Sequence, residues 1–205
     1  MRGFFAAVTF LLAIALSIAG CATRDAGSGW ITLIDGEKGL DNFNEVGSAN
    51  WRAEGGAIVA DKGKGSYLVS KNAYKDIEVY AEFWADHTTN SGLHIRCQDP
   101  AKITDRTCYE ANIFDQRADP AYGTGGIVHR GSVPVPNPHK VGGKWNVYEF
   151  YAKGPELTVK LNGVVTTSIV NTELASAGRI ALQFGNRGKE PGGAIKWRKV
   201  MVRPL

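Results

Sequence analysis

Apolar and polar residues alternate along several short segments of this chain, and this period of two restricts the fold more than any other feature. The segment 77–84 reads Ile-Glu-Val-Tyr-Ala-Glu-Phe-Trp, which predicts a strand with one buried face and one outward face. Further strands are expected at 146–151, 157–161, 164–169, 179–184 and 195–202. Asn162-Gly163 predicts a tight hairpin turn between two of them, and only 172–177 looks helical.

These segments together predict an all-β fold. Roughly ten short strands, with glycine-rich turns between them, are most simply arranged as a sandwich of two antiparallel sheets. The chain contains 25 glycines and shows no internal repeat.

The first twenty residues predict an export signal. An apolar run from Phe4 to Ile18 follows Arg2, and it is shorter than the about 20 residues of an ordinary spanning helix. Ile-Ala-Gly directly before Cys21 resembles the lipobox of bacterial lipoproteins, so Cys21 is expected to be lipidated and 21–29 to form a polar tether. The alternative is an ordinary signal peptide with a chance cysteine.

The lipoprotein hypothesis places the protein in the bacterial cell envelope, anchored by lipid and facing the periplasm or the cell surface. The absence of an acidic residue directly after Cys21 favours the outer membrane. The remaining residues, 30–205, have the length of one domain with a sizeable core. Beyond residue 20 the chain has 23 Lys and Arg against 20 Asp and Glu, a net charge of +3, which is too weak and scattered to indicate a nucleic-acid partner.

Cys97 and Cys108 are the two cysteines left once Cys21 is assigned to lipid. They stand at the facing ends of two segments that are expected to pair as antiparallel strands, and an oxidising periplasm favours a disulfide between them. Two free thiols are the alternative.

Those two segments, 90–96 and 109–115, also hold the candidate catalytic residues. Alternation places His94 and Arg96 on one face of the first strand and Glu110 and Asn112 on one face of the second. An acid, a base and a cation would then share one surface. A structural alternative is a cross-strand ion pair between Arg96 and Glu110.

The outward face of the strand 77–84 is a candidate for substrate binding. It carries Tyr80, Glu82 and Trp84, and aromatic rings beside carboxylates suit sugars, whose C–H faces pack on rings while their hydroxyls form hydrogen bonds. The alternative is that the rings fill a second core layer under loops.

Eight short motifs occur in an order that resembles the 3-keto-disaccharide hydrolase family, also described as 3-keto-glucoside lyase and hydratase domains. They are Thr-Leu-Ile-Asp-Gly at 32–36 with Gly39-Leu40, Asn-Ser-Gly at 90–92 with Arg96, Tyr109-Glu110 with Asp115, Gly-Thr-Gly at 123–125, Lys-Trp-Asn at 144–146, Leu-Asn-Gly at 161–163, Gly-Arg-Ile-Ala-Leu-Gln at 178–183 and Val-Arg-Pro-Leu at 202–205.

The resemblance implies a concanavalin-like jelly-roll sandwich that breaks down sugars oxidised at carbon 3. A 3-ketone acidifies the C2 proton, so a base can remove it, the enolate can expel the group on C1, and water can then add back. Fitted to these roles, Glu110 or His94 is the base, Arg96 stabilises the oxyanion, and Asp115 or His129 serves the leaving group or a divalent metal ion.

The resemblance also implies metal assistance in enzymes of the lyase type, for which His94, Glu110 and His129 are a conceivable ligand set. Asn112 and His129 complete the predicted substrate-binding set. The structural alternatives are a turn capped by Asp115 and an exposed loop at His129. His94 and the segment 128–131 depart from the family pattern.

A competing hypothesis is a non-catalytic carbohydrate-binding lipoprotein, because similar sandwiches serve both lectins and glycanases.

Overall fold

The computed structural model describes residues 29–185 and 193–205, and these contain thirteen strands and two single-turn 3₁₀ helices. The strands are β1 (Ile31–Asp35), β2 (Phe43–Ala49), β3 (Arg52–Glu54), β4 (Ala57–Ala60), β5 (Gly63–Tyr74), β6 (Ile77–Ala85), β7 (Ser91–Cys97), β8 (Tyr109–Ile113), β9 (Trp145–Lys153), β10 (Glu156–Leu161), β11 (Val164–Val170), β12 (Gly178–Phe184) and β13 (Ile195–Pro204). The 3₁₀ helices span Leu40–Asn42 and Pro120–Tyr122.

The strands form two antiparallel sheets. One has eight strands in the order β11-β10-β9-β6-β13-β4-β3, with β1 also paired to β13. The other has five strands in the order β2-β5-β12-β7-β8. The predicted two-sheet sandwich is confirmed.

Strand β6 shows how alternation sets this fold. Its residues Ile77, Val79, Ala81 and Phe83 are buried between the sheets, and the Phe83 ring packs at 5.0 Å from the ring of Tyr148. Burial of one large apolar side chain is worth about 1.5–3 kcal/mol. A register slip by one residue would turn these side chains to solvent, so the pattern fixes the register.

The predicted meander is present as β9, β10 and β11. Asn162 and Gly163 connect β10 to β11 with φ of 51° and 82°, and a type I′ turn requires positive φ at both central residues.

The helical turn predicted at 172–177 is wrong, since this segment is a turn and coil. Two of its backbone N–H groups bond to side chains instead of helix carbonyls. Glu173 N donates to Asn171 Oδ1, and Leu174 N donates to the hydroxyl of buried Tyr109. Local side-chain acceptors of this kind compete with helix formation.

The disulfide between Cys97 and Cys108 is present and closes the loop between β7 and β8. The predicted export signal, Cys21 and nearly all of the tether fall outside the described residues. In residues 29–185 and 193–205, no helix is long and apolar enough to span a membrane.

Candidate active site

The outer face of the five-stranded sheet brings three of the predicted site residues together. Strands β7 and β8 pair so that His94 lies opposite Glu110 and Gly92 lies opposite Asn112. His94 and Asn112 are fully buried, and Glu110 is nearly so. The shared face expected for these side chains is found, while their catalytic roles stay predictions.

His94 and Glu110 form a buried pair. The Nε2 atom of His94 lies 3.5 Å from Oε2 of Glu110, and the Tyr67 ring stands edge-on to the imidazole at 5.5 Å. Neither ring nitrogen of His94 has a hydrogen-bond partner, and the same holds for Asn112 Oδ1 and Gln183 Oε1. Unsatisfied buried polar atoms are costly in a folded protein, so such a group needs an explanation, such as a bound ligand or water.

Gly92 leaves the space that this pair occupies. A Cβ atom at this position would lie 2.8 Å from Oε1 of Glu110 and 3.1 Å from Cε1 of His94. Any larger residue would therefore push against the carboxylate and the imidazole.

A cleft of about 460 Å³ opens beside the pair and shares Tyr67 with it. Its other lining residues include Lys64, Ile103 and Gln183. Gln183 Nε2 donates to the Tyr67 hydroxyl at 3.1 Å. The cleft thus offers hydroxyl, amide and ammonium groups around a partly apolar floor, which is typical of small-ligand sites.

The disulfide loop covers part of this face of the sheet, and a second loop, 125–131, is hydrogen-bonded along the edge of β8. The disulfide loop places Ile103 in a small apolar cluster with Val69, Ala181 and both cysteines. Arg130 fixes this loop, since its guanidinium donates to the carbonyl oxygens of Asp105 and Cys108.

The second loop holds His129 at its tip. The backbone N–H of Val128 donates to the backbone carbonyl of Glu110. His129 therefore directly follows a residue that is hydrogen-bonded to the candidate base. Its Nε2 lies 3.0 Å from Oδ2 of Asp105, its ring is 6.0 Å from that of Tyr122, and its φ is 64°. Positive φ in a non-glycine residue is uncommon and is enriched at functional sites.

Arg96 does not share the surface with His94 and Glu110. The pairing of β7 with β12 places Cys97 opposite Arg179 and His94 opposite Ala181, so β7 contains one extra residue at this point. Arg96 lies in this β-bulge with φ of 50°. A bulge interrupts the period of two, and Cys97 takes the place on the outer face that alternation assigned to Arg96.

The Arg96 guanidinium instead ties turns together at one end of the sandwich. It is fully buried, and it donates to the carbonyls of Lys75 and Gly154 and to the carboxylate of Asp76. The alternative ion pair with Glu110 is not found either. All of these contacts serve structure, and none faces the cleft.

Asp115 also has structural partners. Its carboxylate accepts hydrogen bonds from Val141 N, Gly142 N and the Thr124 hydroxyl. Three donors to one carboxylate fix the segment 140–142 against the glycine-containing loop 123–126.

Tyr148 supports the site from within the core. Its hydroxyl donates to the carbonyl of Asn112 and accepts from Gly125 N. Complete burial raises the pKa of Tyr148 far above its ordinary value, so the hydroxyl stays protonated and keeps donating.

Tyr80, Glu82 and Trp84 lie on the outer face of the eight-stranded sheet, opposite to the His94–Glu110 pair. They alternate with the core residues of β6, and Tyr80 donates to Glu82 at 2.8 Å. The core separates them from the cleft, so the two predicted residue sets cannot line one pocket.

The described residues do not assemble a metal site. No group of three His, Cys, Asp or Glu side chains within 29–185 and 193–205 is placed to hold a metal ion. The set His94, Glu110 and His129 is not assembled, because His129 pairs with Asp105. These three residues therefore do not fit the metal ion that the resemblance implies.

Comparison with known families decides the relationship. A model of the 3-keto-alpha-glucoside-1,2-lyase-like domain matches residues 29–203. The chain belongs to this family. The resemblance drawn from the eight sequence motifs is confirmed, and the family description, which names a glucoside, indicates a carbohydrate-active domain.

Solved structures share the fold of this family member. One putative glycosyl hydrolase from Parabacteroides distasonis ATCC 8503 is 24% identical, with a TM-score of 0.66 over 86% of this chain and 99% of its own. A second putative glycosyl hydrolase from the same organism is 17% identical, with a TM-score of 0.72 over 87% of this chain and 95% of its own. A galectin-like protein from Bacillus subtilis is 8% identical, with a TM-score of 0.53 over 80% and 90%. The expected concanavalin-like jelly-roll class is confirmed. A search of curated proteins gave no match.

Sequence reasoning missed Tyr67, Gln183 and Gly92 as parts of the site. Gln183 stands in a family motif and Gly92 in another, so the motifs contained a signal. The position of Tyr67 and Gln183 against His94 depends on the pairing of β12 with β5 and β7, which connects residues about a hundred positions apart and has no local sequence signature.

Proposed function

We propose that the protein cleaves 3-keto-glycosides by removing the C2 proton, expelling the group on C1 and adding water to the resulting enone. The observation that supports this proposal is the buried His94–Glu110 pair, in which neither imidazole nitrogen has a hydrogen-bond partner, beside a cleft lined by Tyr67 and Gln183. Family membership supports a substrate of this class.

In this proposal Glu110 is the base. Its carboxylate is the member of the pair that retains a small exposed area, while His94 is fully buried. Glu110 accepts the C2 proton of the substrate, and the electron pair of the C–H bond becomes the enolate. His94 acts as a positioning residue, because its imidazole touches Glu110 and the Tyr67 ring but not solvent.

The later steps need an acid for the leaving group and a proton donor for C2. The enolate collapses, the bond from C1 to the leaving oxygen breaks, and that oxygen takes a proton. Water then adds to C1, and C2 takes back a proton. We assign the acid to the Tyr67 hydroxyl, which lines the cleft, or to His129, whose chain neighbour Val128 is hydrogen-bonded to the backbone of Glu110.

Sugar release tests this proposal. The full chain, purified in mild detergent, is incubated with a 3-keto-disaccharide and with its unoxidised parent, each with and without a chelator. Two results together support the proposal. Sugar is released from the oxidised substrate alone, and the rate of this release falls at least ~100-fold in Glu110→Gln. Saturable binding of the parent sugar without release from either substrate would contradict it and would establish a non-catalytic binding protein.

We further propose that Cys21 is lipidated and anchors the protein in the bacterial cell envelope, at the outer membrane. Support comes from the apolar run 4–18 and the small residues before Cys21. Cells that express the chain are labelled with an alkyne fatty acid. Labelling of the wild type and its absence in Cys21→Ser would support the anchor, whereas an unlabelled, freely soluble wild type would refute it.

A further inference from the structure

The outer face of the eight-stranded sheet carries aromatic side chains that the proposed reaction does not use. Trp84 on β6 lies directly opposite Trp145 on β9, and Trp145 is 37% exposed. Tyr80 and Tyr151 lie further along the same two strands, on the same face. Trp84 and Glu78 are six positions apart on β6, which separates them by about 20 Å. We name this set of side chains the aromatic platform.

Two clefts open on the aromatic platform. One, of about 250 Å³, lies beside Trp84 and Lys196, with Arg52 and Asp61 at its far side. The other, of about 270 Å³, lies between Glu78, Glu149 and Tyr151. A ligand that fills both must be extended, because they lie near opposite ends of β6.

Charges on the aromatic platform are paired across strands. Glu82 pairs with Arg198, and Glu78 pairs with Arg203. The Arg198 guanidinium also stacks on the Trp145 ring, at 4.3 Å from its centroid. A charged ligand would have to compete with these pairs, whereas a neutral ligand can accept and donate hydrogen bonds while they remain.

We propose that the aromatic platform is a second, non-catalytic site that binds a neutral, linear glycan. Arg198 covers one part of the Trp145 ring and Lys196 covers one part of the Trp84 ring. Sugar rings present C–H faces that pack on the tyrosine rings and on the indole surface that these cations leave open, and their hydroxyls suit the paired carboxylate and guanidinium groups. The core of the sandwich separates this site from Glu110, so a glycan held here leaves the catalytic cleft open.

Affinity gel electrophoresis tests the aromatic platform with the full chain in detergent. The gels contain barley β-glucan, xyloglucan or glycogen as neutral glycans, or polygalacturonate as an anionic comparison. We expect retardation by barley β-glucan or by xyloglucan, whose backbones are linear, and none by polygalacturonate. Trp145→Ala and Trp84→Ala should each weaken the retardation about 10-fold, which corresponds to about 1.4 kcal/mol.

Matched variants separate this site from the catalytic one. Val170→Ser alters an exposed apolar side chain outside the platform, 74% exposed on β11, and should bind as the wild type does. Glu110→Gln should also bind normally, whatever its effect on turnover. Trp84→Phe keeps a ring and should restore most of the binding that Trp84→Ala loses. The proposal is overturned if neither barley β-glucan nor xyloglucan retards the protein, if polygalacturonate retards it as strongly as they do, or if the alanine variants bind like the wild type.

Discussion

Replacing Gly92 by alanine tests whether the position of the Glu110 carboxylate matters. The new methyl group would lie 2.8 Å from Oε1 of Glu110, while ordinary contacts begin near 3.4 Å. The carboxylate must therefore move by about 0.6 Å. It is the end of a flexible side chain, so it moves more easily than the backbone of β7.

The expected result is a large loss of activity with a modest loss of stability. A displacement of about 1 Å at a reacting group can cost about 100-fold in rate, so we expect kcat/KM for a 3-keto-disaccharide to fall ~10- to 100-fold. Overpacking costs about 1–3 kcal/mol, which the entropic gain of replacing glycine partly offsets. The melting temperature should fall by less than ~10 °C.

The assay combines sugar release with thermal unfolding followed by circular dichroism. Leu93→Val is the control, because Leu93 is the neighbouring residue on the core face of β7. It should lose ~1 kcal/mol of stability and keep its activity. A Gly92→Ala protein that folds and turns over substrate at the wild-type rate would refute the role of the His94–Glu110 geometry.

Three further predictions follow from the contacts around the site. Cys97→Ser with Cys108→Ser should destabilise the fold by about 3 kcal/mol and should also raise KM, because the loop that lines the cleft is released; an unchanged KM would contradict this. Arg96→Gln should lower the melting temperature by ~10 °C, because charged hydrogen bonds worth about 3 kcal/mol are lost. The protein that remains folded should keep its kcat. A loss of kcat at normal stability would instead make Arg96 catalytic. The Arg52 guanidinium, followed by Asn50, lowers the pKa of the Asp61 carboxyl below its ordinary 3.8. The pair therefore stabilises the fold above this value and loses its effect as the pH falls through the lowered pKa. Asp61→Asn should cost up to ~1 kcal/mol at pH 6 and progressively less in urea unfolding below pH 4; a difference that is constant with pH would contradict this.

Local alternation predicted the sheets and the neighbourhood of His94 and Glu110. The strand β6 and the meander β9–β11 have strict alternation and a typical turn, so their faces follow from the sequence alone. The pairing of β7 with β8 could be predicted because the two are consecutive and a short disulfide-closed loop connects them.

Arg96 shows where such reasoning fails. One extra residue in β7 reverses which side chains face outward beyond that point. The bulge is defined by pairing with β12, which lies about eighty residues further along the chain. Gly178 is part of the same arrangement, since a Cβ there would lie 2.3 Å from the backbone of Arg96. The placement of Trp84 on the opposite side of the core from His94 likewise depends on which sheet each strand joins, and alternation does not specify that.

Deuterium incorporation at C2 is the most direct test of the proposed chemistry. The full chain is incubated with a 3-keto-disaccharide in D₂O, and the released 3-keto sugar is analysed by mass spectrometry and NMR, with the free product incubated alone as the control for spontaneous exchange. Removal and return of the C2 proton predict one deuterium at C2 in each product molecule, formed at a rate that Glu110→Gln reduces at least ~100-fold. Sugar release at full rate without deuterium at C2 beyond that of the control would contradict the elimination and rehydration pathway.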